Sequence, residues 1–296
     1  MNESLVSILM TAYNREKYIS ESIKSVLASS YKNFELIIVD DCSKDATVEI
    51  AKKFAVLDNR IKIFINEKNL GDYPNRNKAA SYATGKYLKY LDSDDIIYPW
   101  GLAAMVFCME QFPNAGYGLV SYGLKDNQMF PSILTPNQAY YSFYFQGSMI
   151  GAGPTGSIIK KEVFEKVQGF SGKPYVGDTE LWLKISREYS LVQMPLNLVW
   201  WREHEEQEIK KELNNKNHSL NRYLINRNAL KHEICPFNQL YSENALRNLR
   251  NRYSRNICIM FMKGQIKESI NFCKKSKLNI LDIVKAVCFN TYPPKL

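Results

Sequence analysis

The sequence Leu5-Val6-Ser7-Ile8-Leu9-Met10-Thr11-Ala12-Tyr13-Asn14 sets the first structural unit of the chain. Its first six residues form an apolar, β-rich run, and the four residues after them are typical of a turn. Apolar residues then recur at helical spacing, namely Ile19, Ile23, Val26 and Leu27. The pattern predicts a strand, a loop and an amphipathic helix in that order.

The same unit recurs further along the chain. Residues 34–39, 61–65 and 87–91 predict three more strands, and residues 75–83 predict one of the helices between them. Strands that alternate with helices predict a parallel sheet and therefore an α/β fold. Ligands bind beyond the carboxyl ends of the strands in such sheets, so the polar loops at those ends are candidate sites.

The charge of the chain is unevenly distributed. The 296 residues carry a formal net charge of +9. Residues 1–214 contain 24 Lys and Arg against 26 Asp and Glu, whereas residues 215–296 contain 15 against 4. Because nearly everything beyond residue 203 fits helix, we predict two domains, residues 1–204 and a basic helical extension over residues 205–296. An anionic surface is the expected partner of that extension.

Composition excludes several classes of protein. With 45% hydrophobic and 12% aromatic residues, the chain is not expected to be disordered. Its first ten residues carry Glu3 in place of a basic start, so they do not resemble a secretory signal. The longest uncharged run, residues 127–159, contains prolines and polar side chains that lipid would leave unsatisfied. We therefore predict a cytoplasmic protein without a transmembrane helix.

Two acidic clusters follow predicted strands. Asp92-Ser93-Asp94-Asp95 places three carboxylates within four positions, where they repel one another unless a cation joins them. A hard divalent ion held by carboxylates and diphosphate oxygens is the natural partner, and an acidic turn that caps the next helix is the alternative. Asp40-Asp41 allows either a helix cap or a hydrogen bond from a base or a ribose.

In their order along the chain, these motifs resemble those of the family 2 glycosyltransferases. The resemblance rests on residues 6–14, on Ile37-Ile38-Val39-Asp40-Asp41-Cys42-Ser43 and on Leu91-Asp92-Ser93-Asp94-Asp95, with Asn69-Leu70-Gly71 and Arg76-Asn77 between the last two. It covers residues 5–205 and implies a GT-A fold, which is a Rossmann-like mixed sheet flanked by helices. It also implies an inverting enzyme that depends on a nucleotide sugar.

The resemblance gives roles to residues that would hold the nucleotide. Thr11, Tyr13 and Asp41 would contact its base and ribose. Arg76 would lie near the base, and Asp92 would contact the ribose. The family pattern therefore predicts a nucleotide site built from the loops after the first, second and fourth strands.

The resemblance also implies a metal cofactor, manganese or magnesium, that bridges the diphosphate. Asp94 would be its ligand, and Asp95 is a further candidate because family members differ in how they use this cluster. His204 follows the predicted strand at residues 198–201, where family members often place basic residues near the diphosphate. We include His204 as a candidate metal or phosphate ligand, and a structural role is its alternative.

An inverting transfer needs a base that takes the proton of the acceptor hydroxyl. Gly177-Asp178-Thr179-Glu180-Leu181-Trp182 matches a later block of the family in which an acid opens a helix near the acceptor. The resemblance thus makes Asp178 the candidate catalytic base. Its alternative role is the N-cap of the helix that runs through Trp182.

The predicted function is transfer of a sugar from a nucleoside diphosphate sugar, with UDP as the expected nucleotide, to a hydroxyl of a glycan or lipid-linked acceptor. The resemblance suggests bacterial surface polysaccharide synthesis as the setting. A sugar nucleotidyltransferase is an alternative, but residues 11–17 contain no glycine and those enzymes carry a glycine-rich loop there. A nucleic-acid-binding protein is another, motivated by the basic tail. We favour the transferase and expect no nucleic-acid partner.

The tail interleaves basic residues with apolar ones over residues 247–280. Charges beside apolar faces at helical spacing suit a helix in the headgroup region of an anionic membrane. Such a helix would hold the protein peripherally at the inner face of the membrane. Alternatively, the apolar faces pack against the catalytic domain or against a second subunit in a homodimer.

Overall fold

The apolar runs of the sequence form a central sheet in the computed structural model of the protein. The structure describes residues 3–121, 129–147, 152–204, 218–278 and 280–288. The chain divides into two compact units, Met1–His204 and Glu205–Leu296, which we call the sheet unit and the helical unit.

Ten strands lie in the described part of the sheet unit. They are β1 (Val6–Ala12), β2 (Phe34–Asp40), β3 (Ile61–Ile65), β4 (Tyr87–Tyr90), β5 (Ile96–Ile97), β6 (Tyr117–Val120), β7 (Ser132–Leu134), β8 (Ser157–Lys160), β9 (Leu191–Met194) and β10 (Val199–Trp200). Eight of them form one sheet in the order β3-β2-β1-β4-β8-β6-β9-β7, and β10 pairs with β5 in a separate two-stranded sheet.

Seven helices of the sheet unit connect these strands in the part of the chain that the structure describes. They are α1 (Ile19–Leu27), α2 (Thr47–Leu57), α3 (Asp72–Ser81), α4 (Gly101–Glu110), α5 (Pro136–Tyr141), α6 (Lys161–Lys166) and α7 (Gly177–Ile185). A π-helical turn follows α5 at Ser142–Gln146, and a 3-10 turn precedes β8 at Pro154–Gly156.

The sheet is parallel where strand and helix alternate and becomes mixed beyond β4. β1 pairs in parallel with β2 and with β4, and β2 pairs in parallel with β3. β8 then runs antiparallel to both β4 and β6. The prediction of a mixed α/β sheet flanked by helices is confirmed, and the purely parallel pattern is limited to the first four strands.

The central strands are buried on both faces, as expected for parallel strands covered by helices. Every residue of β2 is buried, and so are residues 6–10 of β1. α1 contributes Ile19, Ile23 and Val26 to the same core. Each such side chain stabilises the fold by about 1.5–3 kcal/mol when it leaves water. The core therefore fixes the strand ends from which the polar loops project.

The boundaries of α3 differ from the prediction of residues 75–83, because the helix runs from Asp72 to Ser81. Gly71 precedes it with φ +87° and ψ 168°, a backbone conformation that glycine adopts without steric cost. Pro74 lies in the first turn, where its missing N–H breaks no helical hydrogen bond. The earlier start brings Asp72 and Tyr73 onto the helix that carries Arg76.

The helical unit contains α8 (His218–Leu230), α9 (Gln239–Met262), α10 (Ile266–Ser276) and α11 (Ile280–Cys288) among its described residues. Its core includes Tyr223, whose ring centroid lies 5.3 Å from that of Tyr253 and 6.1 Å from that of Phe272. The predicted helical extension is therefore present. No helix in the described part of the chain is both long enough and apolar enough to cross a membrane.

Candidate active site

The carboxyl ends of β1, β2 and β4 meet at one edge of the sheet. Ala12 pairs with Asp40 in the register of β1 and β2, and the Asp41 N–H donates to the Ala12 carbonyl at 2.8 Å. On the other side of β1, the Leu91 N–H donates to the Leu9 carbonyl at 3.0 Å. The polar loops that follow these three strands are therefore neighbours, as a parallel sheet requires.

Asp41 organises the loop before α3. Only 3% of Asp41 is exposed. Its Oδ1 accepts hydrogen bonds from the Asn66 amide and from the Leu70 N–H, and its Oδ2 accepts one from the Gly71 N–H, all at 2.8 Å. A buried carboxylate with three such donors holds its partners firmly. Asp41 thus fixes the Asn69-Leu70-Gly71 segment at the edge of the sheet.

The other two residues predicted to share the nucleotide with Asp41 lie on the adjoining loop. Thr11 is half-buried near the end of β1, in register with Val39. Tyr13 follows β1 directly and is 44% exposed. The structure therefore brings Thr11, Tyr13 and Asp41 to one corner of the edge, with an aromatic ring open to solvent.

Arg76 links α3 to the acidic motif. The side chain of Arg76 is 9% exposed, and its Nε and Nη1 donate to Asp72 Oδ1 and Asp92 Oδ1, both at 2.7 Å. Burial opposes the charge of Asp92, but the Arg76 guanidinium and weaker contributions from Lys89 and Thr155 together outweigh burial and lower the pKa of that carboxyl. Asp92 is therefore held as an anion beside a fixed cation.

Asp94 lies among basic side chains from two distant parts of the chain. Its Oδ2 lies 3.2 Å from Nε of Arg15 and 3.0 Å from Nε2 of His204. The Nε of Arg202 donates to the Asp94 main-chain carbonyl at 2.9 Å. Tyr18 supports this cluster because its ring centroid lies 4.7 Å from that of His204. The structure thus brings Asp94 and His204, both candidate metal ligands, into contact.

Asp95 faces a different set of partners. Its Oδ1 accepts a hydrogen bond from the Arg202 N–H at 3.1 Å, and only 4% of the residue is exposed. Burial and the negative charges of Asp92 and Asp94 raise the pKa of Asp95 to about 7. Since Asp94 is the carboxylate that pairs with His204, the two acids have different surroundings.

A buried lysine lies beneath the acidic motif. Lys89 on β4 is fully buried, and its Nζ donates to the carbonyls of Tyr90, at 2.6 Å, and Thr155. Burial lowers the pKa of Lys89 to about 7, although the negative charges of Asp92 and Asp95 oppose the shift. The Thr155 hydroxyl in turn accepts from the Asp92 N–H at 3.1 Å. Lys89 and Thr155 therefore tie the motif to the 3-10 turn before β8.

Asp178 lies in the first turn of α7 and not at its N-cap, which is Val176. Its Oδ1 accepts a hydrogen bond from the Thr179 N–H at 2.7 Å. A Cβ added to Gly177 would lie 2.7 Å from the Tyr73 ring, so α7 begins directly against α3. Tyr73 precedes Arg76 by one turn. The first turns of α3 and α7 therefore lie against each other, with Asp178 near Tyr73.

A pocket of about 470 Å³ borders the acidic motif. It is lined by Tyr18, Trp200, Trp201, Arg202, Glu203 and His204. The Arg202 guanidinium lies 5.3 Å from the Tyr18 ring centroid and 5.0 Å from that of Trp200, within the range of cation–π attraction. Because Arg202 and His204 also contact Asp94, the pocket opens beside the candidate metal ligands.

The donor set fits a divalent ion that takes most of its ligands from a substrate. Asp94 Oδ2 and His204 Nε2 converge within 3.0 Å. Among the described residues, no group of three or more His, Cys, Asp and Glu side chains is placed to hold a metal by itself. Carboxylate oxygens suit manganese and magnesium, and magnesium is usually held by one or two protein carboxylates together with phosphate oxygens.

Sequence analysis missed two residues of this site. Arg15 and Asp94 are 79 positions apart, so nothing local indicates that they pair. Lys89 did carry a signal, since a lysine within the apolar run Tyr87-Leu88-Lys89-Tyr90-Leu91 predicts a buried charge that needs partners.

The arrangement of strands and loops is shared with a known class of enzyme. The crystal structure of S. aureus TarS 1-349 in complex with UDP-GlcNAc matches this chain with a TM-score of 0.70 at 18% sequence identity. The match covers 96% of this chain and 81% of the TarS chain. At this identity the likeness shows the fold alone, and the fold is that of the GT-A glycosyltransferases.

Sequence comparison then identifies the family. The profile of Glycosyl transferase family 2 matches residues 7–168, which is more than half of the chain. The chain belongs to that family and is a glycosyltransferase. The family membership predicted from the ordered motifs is therefore confirmed.

Two relatives illustrate the range of the family. An uncharacterized glycosyltransferase of Haemophilus influenzae is 30% identical over 218 residues, which are 69% of this chain and 67% of that protein. The putative teichuronic acid biosynthesis glycosyltransferase TuaG of Bacillus subtilis is 44% identical over 151 residues, which are 50% of this chain and 59% of TuaG. The matches thus span about two thirds or less of these relatives.

Proposed function

We propose that the protein transfers a sugar from a nucleoside diphosphate sugar to a hydroxyl of a glycan or lipid-linked acceptor, with inversion at the anomeric carbon. The observation that carries the proposal is the convergence of Asp94, His204, Arg15 and Arg202 at the carboxyl edge of the sheet. Cationic and metal-ligating groups placed together at that edge suit a diphosphate.

UDP is the proposed nucleotide, and bacterial surface polysaccharide synthesis is the proposed setting. The complex of TarS with UDP-GlcNAc supports the nucleotide. The name of TuaG supports a polysaccharide acceptor. In this chain the nucleotide would lie against Thr11, Tyr13 and the loop that Asp41 holds, with Arg76 and Asp92 at its side.

Asp94 and His204 would hold manganese or magnesium, and Asp95 is the further candidate ligand. When bound, the divalent ion supplies positive charge against the diphosphate as it leaves. Arg15 and Arg202 supply fixed positive charge at the same place, and Arg76 keeps Asp92 ionised. These side chains would orient the diphosphate so that the anomeric carbon faces the acceptor.

Asp178 would act as the catalytic base. The acceptor hydroxyl oxygen attacks the anomeric carbon as the bond from that carbon to the diphosphate oxygen breaks, and Asp178 takes the hydroxyl proton. Attack from the face opposite the leaving group inverts the configuration. The Thr179 N–H and the contact of α7 with Tyr73 would hold the carboxylate in place.

The family membership favours a transferase over the two alternatives, a sugar nucleotidyltransferase and a nucleic-acid-binding protein. We propose that residues 1–204 form the catalytic domain and that residues 205–296 hold the enzyme peripherally at the inner, cytoplasmic face of the membrane. A homodimer formed through residues 205–296 is the alternative use of that unit.

A screen of nucleotide sugars tests this function. The purified chain is incubated with each sugar nucleotide and with manganese, and release of the nucleoside diphosphate is measured with and without a lipid extract as the source of acceptor. We expect release with a UDP-sugar that rises with acceptor and ceases with excess chelator. Binding of no nucleotide sugar, or tight binding of nucleic acid in its place, would overturn the proposal.

A further inference from the structure

The corner between α9 and α10 presents large apolar side chains to solvent. All seven residues from 261 to 267 are exposed, including Phe261 at 56%, Met262 at 78% and Ile266 at 49%. Gly264, with φ +75°, turns the chain between the two helices. Three such side chains within six positions are a concentrated apolar surface, which in a water-facing protein commonly marks a binding site.

One side of α10, next to this corner, is packed within the helical unit. On α10, Ser269 and Phe272 are buried, and the Phe272 ring centroid lies 6.0 Å from that of Tyr253 on α9. Ile270, four residues after Ile266 and therefore on the same side of the helix, is 47% exposed. The inner face of α10 is thus used within the helical unit, and its outer face extends the apolar surface of the corner.

The positive charge around the corner indicates the chemistry of its binding partner. Lys263 and Lys267 are exposed between the apolar side chains, and Lys274 and Lys275 are exposed further along α10. Residues 215–296 contain 15 Lys and Arg against 4 Asp and Glu. Two copies of so basic a segment repel each other, which argues against a homodimer here. Nucleic acid would match the charge but would leave Phe261, Met262 and Ile266 in water.

We propose that this corner docks on an anionic lipid bilayer. Phe261, Met262 and Ile266 enter the boundary between headgroups and acyl chains, and Lys263 and Lys267 contact anionic headgroups. The inference deepens the proposed function, because a lipid-linked acceptor is reached most readily by an enzyme that is held at the bilayer surface. It requires no contact between the corner and the nucleotide site.

Co-sedimentation of the full chain with vesicles tests the proposal. One set contains phosphatidylcholine alone, and the other contains phosphatidylcholine mixed with phosphatidylglycerol. The apolar variant is Phe261→Ser/Met262→Ser, and the basic variant is Lys263→Gln/Lys267→Gln. The matched control is Val56→Ser/Leu57→Ser, which removes an adjacent pair of apolar residues, 86% and 81% exposed, from α2.

We expect the intact chain and the α2 control to bind the anionic vesicles and to be released at high salt. The apolar variant should bind about tenfold or more weakly, and each lysine removed should weaken binding roughly fivefold. Because the changed residues are exposed, circular dichroism should show an unchanged fold. Equal binding by the apolar variant and the intact chain would overturn the proposal, and so would equal binding to both vesicle types.

Analytical ultracentrifugation tests the alternative that a second copy of the chain binds this corner. A dimer that the apolar variant abolishes, without any binding to vesicles, would overturn the proposal in favour of a second copy of the chain. Vesicle binding is measured without nucleotide sugar, so its outcome does not depend on the transferase activity. Nucleoside diphosphate release in detergent solution by the apolar variant should equal that of the intact chain, which separates loss of docking from loss of catalysis.

Discussion

The two acidic clusters at the edge of the sheet look alike in sequence and differ in their partners. Asp40 and Asp41 accept hydrogen bonds from neutral donors, namely the Ser43 N–H and hydroxyl for Asp40 and the Asn66, Leu70 and Gly71 groups for Asp41. Asp92 lies against the Arg76 guanidinium, and Asp94 lies against the Arg15 guanidinium and the His204 imidazole.

This difference in partners indicates a structural role for the first cluster and a catalytic role for the second. Neutral N–H and O–H donors fix a carboxylate as part of a loop, and their loss leaves buried donors unsatisfied. Cationic partners neutralise acids that would otherwise repel one another, and a metal ion with a diphosphate can take over that task. The first cluster should therefore matter mainly for stability, and the second mainly for activity.

Asp94→Ala should give the largest effect on activity. We expect transfer to fall to background, because the substitution removes the carboxylate that pairs with His204 at the proposed metal site. Stability should change little, since losing one of three clustered acids relieves repulsion while losing the pair with Arg15 costs about 0–1 kcal/mol. Nucleoside diphosphate release across a manganese titration, together with thermal unfolding, measures both. Full activity of the intact chain in excess chelator would contradict the metal role.

Asp178→Asn tests whether the chemistry extends to the first turn of α7. The amide keeps the size of the side chain and an oxygen for the Thr179 N–H, but it cannot take a proton. Turnover should fall by roughly two to four orders of magnitude, the usual contribution of a positioned base. The affinity for the donor, measured by titration calorimetry, should change little. Weak donor binding with normal turnover at saturation would instead make Asp178 a binding residue.

Asp41→Ala tests the structural role of the Asp40-Asp41 cluster. It leaves the buried N–H groups of Leu70 and Gly71 without their acceptor, so the free energy of unfolding should fall by about 2–4 kcal/mol. Because the loop it fixes borders the proposed nucleotide site, the KM for the donor should rise, while kcat should fall far less than in Asp94→Ala. Urea unfolding and donor titrations provide the measurements. An Asp41→Ala protein as stable as the unchanged chain would contradict the structural role of Asp41.

The first four strands and the positions of the acidic loops were predictable from the sequence, because local periodicity sets both. The acidic cluster that contains Asp92 and Asp94 stands out locally, and the resemblance to the family nominated these two residues and His204. The pairing of Asp94 with Arg15 could not be predicted, since the two residues are 79 positions apart and only the folded sheet brings them close. The antiparallel insertion of β8 between β4 and β6 is equally non-local. The roles of the individual site residues remain predictions.

A third carboxylate, Glu35 on β2, provides a buried comparison that does not belong to either acidic cluster. It accepts hydrogen bonds from the Ser7 hydroxyl and from the Thr84 N–H and hydroxyl, and it pairs with Lys62, all at 2.7 Å. Burial opposes its charge, but these donors outweigh that effect and lower the pKa of Glu35 to about 2 from 4.5. Unlike Asp41, it has no proposed contact with the nucleotide site, so we expect it to serve stability alone.

Glu35→Gln should therefore have the smallest effect on activity and a distinct dependence on pH. Because the pKa of Glu35 is lower in the folded chain, its stabilising contribution is complete above pH 4.5 and is lost as the pH falls through about 2. The substitution should lower the free energy of unfolding by up to about 3 kcal/mol at neutral pH. The difference between the two proteins should shrink progressively as the pH falls. Urea unfolding of both proteins at several pH values measures this difference. If the difference in the free energy of unfolding stayed constant down to the lowest pH, the substitution would act through packing and not through charge. A large loss of transfer at neutral pH would contradict the purely structural role of Glu35.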